Sequence, residues 1–145
     1  MNDKELIAEL RFMGIDKASY RVVTLLPLVR VAWADGAVQS AERALILQTA
    51  EDGGMVQADG ARILQDWLRH APTEEYVRRG NACLRALADR SGADFGGGLD
   101  PETLDDVVSL CEQVAEVAGG LFGIMWSVDE RERSAIEEIA RALRG

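Results

Sequence analysis

Asp35 and Glu42 stand seven residues apart, with Gly36 directly after the aspartate and an apolar helical pattern before it. Carboxylates spaced in this way around a glycine turn suit hard divalent cations, because a sharply reversing chain can converge several anionic oxygens. The run Asp35-Gly36-Ala37-Val38, followed by Glu42, matches the second half of an EF-hand loop. The first half does not match, since Val31 and Trp33 occupy the places of its first two oxygen ligands, and an isolated EF-hand is excluded. Asp35 nevertheless falls at a helix C-terminus, where the macrodipole presents about half a negative charge. Its carboxylate therefore calls for compensation, either by amide hydrogens opening the next helix or by a cation.

A second acidic pair lies near the C-terminus. The segment EVAGGLFGIMWSVDERERSAIEEIARAL aligns with LVRVAWADGAVQSAERALILQTA so that Glu132 stands opposite Glu42 and Ile136 opposite Ile46. If the two halves pack face to face, Asp129 and Glu132 join Asp35 and Glu42. Four carboxylates would then face a calcium, magnesium or similar divalent ion. The alternative makes all four helix caps and first-turn charges satisfied by backbone amides and water, which is the commoner use of such residues.

Other reactive groups offer less. His70 is the only histidine, and Cys83 and Cys111 lie in helical patterns without metal-binding or redox spacing. A thiolate–histidine pair would depend on the fold bringing them together, and buried inert thiols are the expectation. Gly96, Gly97 and Gly98 follow no strand and lack the lysine of a phosphate-binding loop. Asp59-Gly60 repeats the Asp-Gly pair, but in a polar stretch where helix capping explains it. The chain is expected to be non-catalytic.

Two segments suggest contacts instead. Residues 61–90 carry Arg62, Arg69, Arg78, Arg79, Arg85 and Arg90 against Asp66, Glu74, Glu75 and Asp89. That arginine-rich middle is either a set of solvated helix faces or a surface for an acidic partner. Leu121, Phe122, Ile124, Met125 and Trp126 crowd a ten-residue connection that is either core or the contact surface of a homodimer or partner helix. A net charge of -9 opposes nucleic-acid binding. The apolar run Val22 to Ala34 is broken by Thr24, Pro27 and Arg30 and falls short of a membrane span. The start MNDKELIAEL reads as no secretory leader, so a cytoplasmic location with reduced thiols is expected.

The elements positioning these residues are helical throughout, since no stretch alternates apolar and polar residues as a strand would. The expectation is an all-α fold, one domain over residues 1–145, a single bundle of about seven helices with a weak pseudo-twofold helix-loop-helix repeat. Lys4 to Met13 buries Leu6, Leu10 and Met13 and stops at Gly14. Lys17 to Ala34 buries Tyr20, Val23, Leu26, Leu28, Val31 and Ala32 and must kink at Pro27 or break near Thr24. Ser40 to Ala50 follows. Asp59 caps a fourth helix through Ile63, Leu64, Trp67 and Leu68, and Thr73 caps a fifth after Pro72. Ser91–Leu99 is a glycine-rich internal linker. Asp100-Pro101 opens a helix burying Leu104, Val107, Val108, Cys111, Val114 and Ala115 until Gly119 and Gly120 stop it. Asp129 caps the last helix, with Glu132 reaching back and Ile136, Ile139, Ala140 and Leu143 inward.

At Leu28 to Ile46, LVRVAWADGAVQSAERALI, the chain resembles the TerB-like family of small all-helical domains named for tellurite-resistance proteins. There an apolar helix ends in Ala-Asp-Gly and a glutamate opens the next. GGLFGIMWSVDERERSAIEEIA looks like the family's second copy, with Asp129-Glu130 in place of Asp-Gly. The resemblance covers about a third of the chain. It implies a bundle of about seven helices with pseudo-twofold halves and a divalent-cation site where the acidic loops converge, with Asp35, Glu42, Glu132 and Asp129 at the matching positions. It also implies a scaffolding or stress-response module.

Overall fold

The computed structural model describes residues 1–89, 101–120 and 130–144. Seven α-helices and one 3-10 helix account for most of them, and no described residue lies in a strand. The helices are α1 (Asp3–Phe12), α2 (Leu26–Ala32), α3 (Ser40–Asp52), α4 (Gly60–Arg69), α5 (Glu74–Ala88), α6 (Pro101–Gly120) and α7 (Glu130–Arg144).

The short helix α2 is the axis of the bundle. In its sequence LPLVRVA every residue but Arg30 is buried, and a helix apolar all round is stable only when covered on all sides. Helices α3, α4, α5, α6 and α7 supply that cover. Arg30 reaches past it to the carboxylate of Glu138 on α7, at 3.7 Å. Pro27 sits in the first turn of α2, where its missing N–H costs nothing. The preceding residues Tyr20–Leu25 wind as the 3-10 helix. The long helix expected over Lys17 to Ala34 is thus interrupted between Leu25 and Leu26, where Pro27 falls in the first turn of a new helix.

The ends of the other helices follow local chemistry. Gly14 takes φ +84° and lets the amides of Gly14 and Ile15 close back on the carbonyls of Arg11 and Leu10, at 2.9 and 2.8 Å. Thr73 accepts the Tyr76 amide at 3.1 Å and caps α5. Asp59 occupies the N-cap of α4, but its side chain accepts no capping bond. Its carboxylate faces Arg62 at 3.9 Å instead, while its own amide donates to Ser19 Oγ. The α6 stripe is buried as spaced, from Leu104 to Ala115. The buried face of α7 runs through Glu132, Ala135, Ile139 and Leu143, leaving Ile136 and Ala140 half-buried at its edge. The Ser91–Leu99 linker, Asp129 and the apolar segment Leu121 to Trp126 lie outside the described residues.

Candidate functional site

The loop between α2 and α3 is built from its backbone outward. Gly36 adopts φ +97°, and its amide donates to the Trp33 carbonyl at 2.8 Å, which turns the chain away from α2. Asp35 Oδ1 accepts the Ala37 amide at 3.3 Å, an Asx turn that gives the helix-end aspartate the amide compensation its position calls for. Gln39 is the N-cap of α3, and its amide donates to Glu42 Oε1 at 2.9 Å in the reach-back of a capping box. Both carboxylates thus bind backbone N–H groups of the loop that joins them.

Glu42 does more than cap. Its side chain is fully buried, and Oε2 has no hydrogen-bond partner among the described residues. Burial pushes its carboxyl up to about 7; the Gln39 amide opposes that rise, and the nearby negative charge of Asp35 adds to it. An orphaned carboxylate oxygen in a dry interior is costly, and either a proton or a cation relieves it.

Glu132 is the third residue of α7, as Glu42 is of α3, and it too is buried. The two helices therefore enter the core with a glutamate at the same register. The described residues do not gather Asp35, Glu42 and Glu132 into one group able to hold a metal ion, and no other three acidic, histidine or cysteine side chains among them form such a group. Asp129, the fourth residue of the expected set, lies outside the described residues.

A different concavity was not legible in the sequence. Residues of the α1 terminus (Met13, Gly14), of α4 (Arg62, Ile63, Asp66, Trp67), of the following turn (His70, Ala71, Pro72, Thr73) and Tyr76 of α5 line an open cleft of about 610 Å³. Trp67 Nε1 donates to the Tyr76 hydroxyl at 3.2 Å, and that hydroxyl donates to the Met13 carbonyl at 2.7 Å. The two rings meet edge to face with centroids 6.1 Å apart. The signal in sequence was Trp67, His70 and Tyr76 clustered around Pro72, which helical periodicity assigns to core and turn.

Cys83 and Cys111 are both reduced and buried. Burial pushes the Cys83 thiol up to about 11 and raises that of Cys111 as well. Neither lines the cleft that contains His70. Within the arginine-rich middle, Arg62 pairs with Asp59 and Asp66, Arg78 with Glu75, and Arg79 with Glu9 of α1. No helix among the described residues is long and apolar enough to cross a membrane.

Set against known proteins, the chain matches no family model, no curated protein and no solved structure.

Proposed function

We propose that the chain is a non-catalytic, cytoplasmic TerB-like module that acts by binding, with the acidic corner between α2 and α3 as the seat of a divalent cation. The observation that supports this most is Glu42 Oε2, a carboxyl oxygen buried with no hydrogen-bond donor among the described residues, beside the charge of Asp35. Two carboxylates offer the hard oxygen donors that calcium or magnesium takes. Asp35 and Glu42 would hold the ion, with Asp129 and Glu132 as the second pair that the internal repeat suggests. The ion would tie the α2–α3 corner together, as expected of a scaffold used in stress response rather than of an enzyme.

Thermal melts of the wild type and Asp35→Asn, in EDTA and in millimolar calcium or magnesium, test this reading. Asparagine keeps the Oδ1 acceptor for Ala37, so the metal-free variant is expected to be as stable as the wild type or slightly more so. The wild-type midpoint should rise with a divalent ion and the variant's should not. A wild-type midpoint that ignores every divalent ion leaves an interaction module with capped helices and no metal site.

A further inference from the structure

The cleft between the end of α1 and the α4–α5 turn shares no lining residue with the acidic corner, and its chemistry is of a different kind. Its walls are Met13, Ile63, Trp67, Pro72 and the ring of Tyr76. Their polar groups already satisfy one another. The Trp67 N–H is taken by Tyr76 Oη, the Tyr76 O–H by the Met13 carbonyl, and Thr73 Oγ1 by the Tyr76 amide. Apart from the Thr73 hydroxyl hydrogen and the exposed His70 ring at the mouth, the interior presents hydrocarbon and ring faces.

The rim carries the side chains of Arg62, Asp66 and His70. Arg62 stands 3.5 Å from Asp66 and 3.9 Å from Asp59, so its charge is compensated on the rim itself. A volume of about 610 Å³ falls in the range of small-molecule sites, which are largely apolar with few polar groups. A single amino-acid side chain would leave much of it empty.

We propose that this cleft is a binding site for an uncharged aromatic or alicyclic small molecule, held by ring contacts with Trp67 and Tyr76 and by the aliphatic walls of Met13, Ile63 and Pro72. Recognition rests on shape and apolar contact, and a formal charge on the ligand gains nothing at the neutralised rim.

N-phenyl-1-naphthylamine, an uncharged fluorescent probe, and 1-anilinonaphthalene-8-sulfonate, the same ring system with a sulfonate, separate the possibilities. Both are titrated into the full chain and into Ala71→Trp. Ala71 is an exposed residue at the cleft mouth, where an indole would close the entrance without entering the core. The expected result is saturable one-to-one binding of the neutral probe to the wild type, with the sulfonate at least tenfold weaker. Ala71→Trp should weaken the neutral probe at least tenfold while retaining the wild-type melting midpoint and helical circular dichroism. Failure of the neutral probe to bind the wild type overturns the proposal, as does equal binding of both probes. Undiminished binding to a folded Ala71→Trp places the probe elsewhere and also overturns it. If that variant does not fold, Ala71→Phe carries the same comparison, and undiminished binding to it has the same meaning.

Discussion

At Glu42 an ordinary capping residue becomes a titrating one. Its carboxyl is raised to about 7 by burial, against an ordinary value of 4.5. A carboxyl raised on folding favours the protonated folded state. Its contribution is complete below about pH 4.5 and is lost as pH rises to about 7. In EDTA, the wild type should lose on the order of 2 kcal/mol between pH 5 and pH 8 through this group. Glu42→Gln, which keeps the acceptor for Gln39, should flatten that part of the profile and exceed the wild type in stability at pH 8. Urea melts at both pH values check this, and an unchanged slope in the variant would contradict it. The spacing marks this glutamate but not its burial, which follows from α3 packing against α6 and α2. Tyr76→Phe makes a second test at this scale. It leaves the Trp67 N–H and the Met13 carbonyl without the partner they share, and should cost roughly 1 to 3 kcal/mol by chemical denaturation.

Among the elements, α5 shows how closely the helices approach. A Cβ built on Gly80 would stand 2.2 Å from Leu26 Cδ2 and 3.1 Å from Met13 Cε, both inside the core. Gly80→Ala would raise helix propensity by up to about 1 kcal/mol in an exposed helix. Here overpacking outweighs that gain, and a net loss of about 1 to 2 kcal/mol is expected by thermal melting. Elements of this kind were largely legible in sequence, because Pro27, Thr73 and Gly14 act on their own neighbours. The break before α2, the cap of α5 and the stop of α1 all appear where those residues require them. Asp59 does not cap with its side chain: its backbone, at φ -79° and ψ 1°, is outside the extended conformation of an N-cap, and its carboxylate lies 3.9 Å from Arg62. The register of α7 was legible only in part. Both Ile136 and Ile139 suit a buried stripe, and packing against α5, α6 and α2 selects the face with Ile139.

At the scale of the whole molecule, the bundle surrounds one short apolar helix, and its concave features arise where distant segments meet. The cleft joins Met13 to Tyr76 through a hydroxyl bond spanning sixty-three residues, a juxtaposition that local pattern does not encode. The acidic corner is the opposite case: it lies within one loop, and so Asp35 and Glu42 could be singled out from their spacing alone. Its relation to the second acidic pair is a matter of tertiary packing, and the described residues do not gather Asp35, Glu42 and Glu132 into one group. Under the proposed function, the first pair holds a divalent cation in competition with the proton on Glu42. Isothermal titration of calcium and of magnesium into the wild type at pH 8 and pH 6, and into Asp35→Asn at pH 8, measures it directly. Saturable binding of at least one ion at pH 8, weaker binding at pH 6, and at least tenfold weaker binding to Asp35→Asn are expected. Absence of binding heat for both ions at pH 8, or equal affinity in the variant, would contradict it.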